Sequence, residues 1–199
     1  LGLSAQSAAA TTPPPPPPPP PVVAPTIAPD PPAPLTAYVR GAAFGDLGTV
    51  PLGALGAGLG AGFAVGPWGA RIGAIWMPAR FARIADTEVG LDVGLLAGQL
   101  AGCRRALAGV WLCAGLELGG MRGDPVGLVD GAPTVRAWFA ADLTVSRTIA
   151  LTDRTSLVGA VEGIGALVRP RFVLDDGTEV FVPSSIAGRA MIGLEIRLR

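Results

Sequence analysis

Leu55-Gly56-Ala57-Gly58-Leu59-Gly60-Ala61-Gly62-Phe63-Ala64-Val65 decides the fold. Glycine fills every even position from 56 to 62, and the odd positions carry Leu, Ala, Leu, Ala, Phe and Val. The stretch lies within residues 49–70, which contain no charged side chain. About 20 apolar residues suffice for a membrane-spanning helix, and glycines four apart are a helix-packing pattern. A helical period would nevertheless smear this sequence over the whole helix surface. A strand, whose successive side chains point to opposite faces, puts glycine on one face and the larger apolar groups on the other.

The same alternation recurs outward along the chain. Glu88, Gly90, Asp92 and Gly94 alternate with Val89, Leu91, Val93 and Leu95; Trp111, Cys113, Gly115, Glu117 and Gly119 alternate with Val110, Leu112, Ala114, Leu116 and Leu118. Thr134, Arg136, Trp138, Ala140, Asp142 and Thr144 oppose Val135, Ala137, Phe139, Ala141, Leu143 and Val145. Near the C-terminus, Arg189, Gly193, Glu195 and Arg197 oppose Ile186, Ala190, Ile192, Leu194, Ile196 and Leu198. A period of two repeated in this way predicts half-polar strands. Eight are expected, near 36–46, 53–65, 69–79, 87–99, 109–120, 134–146, 155–168 and 185–198. Of the prolines after residue 34, only Pro78 falls inside a predicted strand, in keeping with the missing N–H that a ladder needs. Asp176-Gly177, between Phe172-Val173-Leu174 and Val180-Phe181-Val182, is a hairpin signal and predicts that the last two strands extend into a long ribbon.

The 29 Gly and 21 Pro of the 199 residues are segregated. Residues 1–34 hold 14 prolines and one glycine, including the unbroken run Pro13 to Pro21. That run favours polyproline II and reads as a stiff spacer about 28 Å long. Before it, Leu1 to Ala10 resembles the tail of a cleaved export signal. Residues 1–34 are therefore expected to be a disordered Pro-rich linker, and residues 35–199 one all-β domain.

Positive side chains (all Arg) and acids number 15 each, so the formal net charge is zero and no basic footprint for nucleic acid exists. No histidine is present, which removes Ser-His and Cys-His nucleophile pairs and His-bearing zinc sites. No enzymatic activity, cofactor or metal is expected.

Eight antiparallel strands can close with the apolar face inward, as in a soluble lipocalin-like barrel for an apolar ligand, or outward into lipid. The polar face here lacks Lys and Asn, is rich in Gly, and carries balanced charges. Such a face suits the crowded interior of a closed barrel, whereas the other face is nearly uninterrupted apolar surface. The expected fold is an antiparallel, up-and-down, eight-stranded transmembrane β-barrel. Arg40, Arg71, Glu88, Asp92, Glu117, Arg136, Asp142, Glu162, Arg189, Glu195 and Arg197 are assigned to a lumen charge network, and side chains rather than an open pore fill the interior. With the N-terminus in the periplasm, residues 47–52, 80–86, 121–133 and 169–184 would be outer loops. Residues 66–68, 100–108 and 147–154 would be inner turns.

Residues 35–199 resemble small bacterial outer-membrane β-barrel proteins of eight strands. The resemblance rests on the alternating strands and on Gly193-Leu194-Glu195-Ile196-Arg197-Leu198, similar to the terminal strand read by the barrel assembly machinery of that group. The chain departs by ending in Arg199 rather than an aromatic residue. The resemblance implies outer-membrane lipid and the assembly machinery as partners, bacterial outer-membrane localisation, and a structural or surface-interaction role. Barrel enzymes of this size generally rely on a histidine, absent here.

Three smaller readings remain. Cys103 and Cys113 are a disulfide candidate in an oxidising compartment; with polar-inward parity even on the fourth strand and odd on the fifth, a bulge or an early end of the fourth strand is needed to bring them together. Trp68, Trp76, Tyr38 and Phe44 are candidates for interfacial belts, while Trp111 and Trp138 fall on the lumen face. Arg122-Gly123-Asp124, an adhesive tripeptide in other contexts, falls in an expected outer loop, and its occurrence is consistent with chance.

Overall fold

A computed structural model describes residues 34–84, 87–127, 131–174 and 177–198. The Pro-rich segment expected over residues 1–34 lies outside them except for Pro34.

Alternating sequence becomes long strand wherever the two faces differ in polarity. The strands are β1 (Leu35–Leu47), β2 (Ala54–Val65), β3 (Trp68–Arg83), β4 (Gly90–Leu107), β5 (Val110–Val126), β6 (Thr134–Ala150), β7 (Thr155–Val168), β8 (Phe172–Val173), β9 (Glu179–Phe181) and β10 (Ile186–Leu198). Eight of them close into one barrel in the order β1-β10-β7-β6-β5-β4-β3-β2, with every pairing antiparallel. Closure pairs the first strand with the last, from Ala37 opposite Leu198 to Leu47 opposite Gly188, so no barrel edge is left unpaired.

One end of the barrel has tight turns. Val65 leads to Trp68 through Gly66-Pro67, and Leu107 to Val110 through Ala108-Gly109. Gly66 (φ 57°) and Gly109 (φ 73°) adopt the left-handed backbone that such two-residue hairpins require. The opposite end carries the longer connections. The connections on either side of β3 to β6 are shorter than expected because those strands run to 16–18 residues, whereas the connections over 48–53 and 169–185 keep about the expected length.

Pro78 lies within β3 because the register shifts between Met77 and Arg80. A bulge accommodates a residue with no N–H to donate. Pro125, expected in a loop, is instead paired with Leu91 near the end of β5. The long ribbon is not formed. β7 and β10 stop at Val168 and Ile186, and β8–β9 is a separate two-stranded hairpin between Pro170 and Pro183. Phe172 of that hairpin is buried and meets Phe181 at 6.4 Å between ring centroids.

Polarity across the wall follows the predicted rule along most of the barrel. Leu55, Leu59, Phe63, Trp68, Ile72, Trp76, Leu100, Leu116, Leu143, Ile192 and Leu194 point outward and are exposed. The even glycines of β2 face inward. A Cβ on Gly56 would collide with the Phe44 ring, and one on Gly62 with the Tyr38 ring. These glycines therefore admit two large rings from β1 to the interior, so Phe44 and Tyr38 are interior groups, not belt residues. Trp68 and Trp76 do face outward.

At the long-loop end the rule inverts. Leu91, Val93 and Leu95 of β4 are buried inside, whereas Asp92 is only half-buried and Glu88 lies exposed before the strand. Inward positions on β4 are therefore odd, opposite to the parity expected from Glu88 and Asp92. The interior at this end is an apolar cluster that includes Phe44, Val50, Ile75, Met77, Val93, Met121, Trp138, Ile164 and Phe172.

Candidate functional site

Polar side chains collect in the barrel interior because alternate residues of every strand point there and lipid-like side chains take the other face. Arg189 on β10 is at the centre, with a fully buried side chain. Its Nη1 donates to Glu117 Oε1 at 2.6 Å and Glu162 Oε2 at 2.9 Å, and its Nη2 lies 3.3 Å from Asp46 Oδ2. The guanidinium also sits 4.8 Å from the centroid of the Phe44 ring. One cation thus bridges carboxylates from β1, β5 and β7 (Asp46, Glu117 and Glu162).

Neighbouring donors complete the cluster. Gln99 Nε2 donates to Glu117 Oε1 at 2.7 Å and Glu162 Oε1 at 3.3 Å, and Trp138 Nε1 donates to Glu117 Oε2 at 3.1 Å. Arg71 donates to Thr144 Oγ1 at 2.8 Å and lies 3.9 Å from Asp142 and 3.7 Å from Glu162. Arg40 pairs with Glu195 at 2.7 Å. Asp46 additionally accepts from the backbone N–H and hydroxyl of Thr49, which fixes the turn after β1. These carboxylates are held by fixed donors, which makes the cluster a cross-barrel tie between strands; a buried charge left without such partners would be strongly destabilising. Among the described residues, no group of three His, Cys, Asp or Glu is arranged to hold a metal ion.

Of the residues assigned from sequence to a lumen network, the structure brings together Arg40, Arg71, Glu117, Asp142, Glu162, Arg189 and Glu195. Arg197 lies at the tight-turn mouth, lining a cavity there. Glu88, Asp92 and Arg136 are not part of it. Glu88 precedes β4, Asp92 is on the outward face of that strand, and Arg136, although on an inward-parity position, is exposed at the far end of β6. Asp46 and Gln99 were missed. Asp46 shares the even parity of Arg40 on β1 and was legible from that strand alone, whereas Gln99 was hidden by the inverted parity of β4.

Cys103 and Cys113 form a disulfide across β4 and β5, on directly opposed positions of the ladder. No bulge is needed, since odd positions face inward on both strands. The bridge lies in a buried group with Ala101, against which Trp111 packs.

At the tight-turn end the interior opens into a cavity of about 360 Å³. Tyr38, Arg40, Arg71, Arg105, Trp111, Glu195 and the two cysteines are among its walls. Arg105 stacks 4.9 Å from the Trp111 ring centroid, and Arg40 5.4 Å from that of Tyr38.

Arg122-Gly123-Asp124 is not in a loop. It lies within β5, Arg122 Nε reaches both Asp124 carboxylate oxygens at 2.9 Å, and Phe172 covers Gly123. The tripeptide is thus held in the strand ladder, its two charges paired with each other and its glycine covered.

No family model and no curated protein matches the sequence. Solved structures do. A major outer membrane protein from Thermus thermophilus superposes with a TM-score of 0.61 at 15% identity, over 82% of this chain and 99% of that one. The attachment invasion locus protein Ail of Yersinia pestis, solved with a heparin analogue, gives a TM-score of 0.50 at 14% identity over 82% and 97%. At such identities the likeness is one of fold: this chain has the architecture of the small bacterial outer-membrane β-barrels.

Proposed function

We propose that the protein is a non-enzymatic component of a bacterial outer membrane, with a structural or surface-interaction role. The carrying observation is the outward face. On β5, no charged side chain points outward between Val110 and Met121, and the face is bounded by Arg122–Asp124 on one side. On the other side Arg104 stacks 5.2 Å from the outward Trp68 ring. At ~3.3 Å per residue and a tilt of 35–45° this band is about 26–30 Å tall, close to the ~25 Å apolar band of such barrels. A soluble lipocalin-like barrel would need the reverse, with the apolar face inside along its whole length.

The polarity inversion fits the same reading. The 18 residues of β4 span roughly 42–49 Å along the barrel axis, well beyond the hydrocarbon. Past the membrane a strand meets water outside and must bury its apolar side chains inside, as Leu91, Val93 and Leu95 do. The tall wall of β3 to β6 is then the part available for surface contact. The apolar cluster and the Arg189 network close the interior to ion flow.

The tight turns and the start of β1 lie at one end, which this reading places in the periplasm with the Pro-rich linker. β10 would be the strand presented to the barrel assembly machinery. Fractionation and gel migration test the proposal: outer-membrane recovery and a faster band before boiling are expected. Recovery in the soluble fraction after lysis without detergent would refute it.

A further inference from the structure

Charge is distributed unevenly along the barrel, and the tight-turn end is the basic one. Among the described residues, four arginines, Arg40, Arg71, Arg105 and Arg197, line the cavity there against one acid, Glu195. Glu195 is already paired with Arg40. Arg71 lies 3.7 Å from Glu162 and 3.9 Å from Asp142, and among the described residues Arg105 has a ring rather than an acid as its neighbour. Two buried guanidinium donors here, Arg40 Nε and Arg71 Nε, have no hydrogen-bond partner among the described residues. Unpaired buried donors of charged groups carry a desolvation cost that an acceptor would relieve.

We propose that this cavity is a binding site for a compact oxyanion-bearing ligand of the phosphate type, entering from the tight-turn end. The chemistry is that of converging guanidinium groups, which recognise phosphate oxygens by charge-assisted hydrogen bonds. The rings of Trp111 and Tyr38 hold two of those guanidinium groups and form apolar walls beside them. A volume of about 360 Å³ admits a small phosphorylated solute or a single lipid headgroup and excludes a polymer chain. The site lies at the opposite end from the β8–β9 hairpin and needs nothing of the surface role. It depends on the membrane reading only for the compartment it faces.

Indole N–H resonances of the full chain in nanodiscs report on the site, with Trp111 assigned by Trp111→Phe. Heat-modifiable migration of the same sample first establishes a closed barrel, so a failure to bind counts against the site and not against the membrane reading. In neutral phosphatidylcholine discs, inorganic pyrophosphate is expected to shift the Trp111 resonance saturably, and Arg105→Gln to weaken that response about tenfold. Arg154→Gln, in the turn outside the cavity, should leave it unchanged. A shift that instead appears in phosphatidylglycerol discs without pyrophosphate, and is lost in Arg105→Gln, identifies a lipid headgroup as the oxyanion source. Absence of a saturable shift in both kinds of disc, or one insensitive to Arg105→Gln, overturns the proposal.

Discussion

Replacing Arg189 by Met is the sharpest perturbation of this barrel. Methionine keeps an unbranched chain of similar length and so preserves packing against Phe44, while removing the charge shared by Glu117, Glu162 and Asp46. All four side chains are fully buried, so water cannot solvate the three carboxylates without disturbing the wall. Breaking a buried ion pair by deleting one partner costs about 3–5 kcal/mol, far more than the pair contributes relative to an apolar substitute. The expected loss is of that size, read as a lowered midpoint of urea unfolding in detergent micelles followed by tryptophan fluorescence. Glu117→Gln should restore part of it, because one of the stranded charges is gone while a carbonyl remains to accept from Trp138 Nε1. An Arg189→Met barrel with an unchanged midpoint, or a double variant whose losses simply add, would show that the cluster does not act as one unit.

Further perturbations separate the other features. Cys103→Ser with Cys113→Ser opens a closed loop with a sequence separation of 10, and should cost about 3 kcal/mol in the same unfolding assay; the native chain should also lose gel mobility on reduction. Gly62→Leu forces a side chain into the Tyr38 ring and should cost about 1–3 kcal/mol, partly recovered by Tyr38→Ala. Leu59→Arg puts a charge on the outward face at a residue that is 76% exposed, and in lipid should cost about 2–4 kcal/mol; a neutral effect on barrel stability in bilayers would contradict a lipid-facing position.

What the sequence made legible depends on how far a single polarity rule extends along each strand. β2 carries the rule in pure form, since its glycines mark the crowded interior and its Leu, Ala and Phe the outer face. β5, β6 and β10 likewise disclosed Glu117, Asp142, Arg189 and Glu195 on one face, and the structure places the first three, with Glu162, in a single cluster while Glu195 pairs with Arg40. Spacing alone could not have said which carboxylate meets which arginine, because the partners are 27, 72 and 155 residues apart for Arg189–Glu162, Arg189–Glu117 and Arg40–Glu195. Those contacts are set by strand register and closure.

The β4 misreading has a more specific origin. Alternation reports only that two faces differ, and which face is inside depends on the solvent outside. A strand of 18 residues crosses from one surrounding medium to another, so its polar positions cannot stay on one side throughout. Reading the segment around Asp92 by the rule that holds around Gln99 reversed the parity of the whole strand. The cysteines already contained the correction. A cross-strand bridge needs both residues on the same face, and Cys113 shares odd parity with Glu117 on β5, so Cys103 implies odd inward positions on β4. Carried along the strand, that constraint places Gln99 beside Glu117 and turns Leu91, Val93 and Leu95 inward. Two facts that conflict when every polar residue is assigned to the lumen agree once the strand is allowed to outlast the membrane.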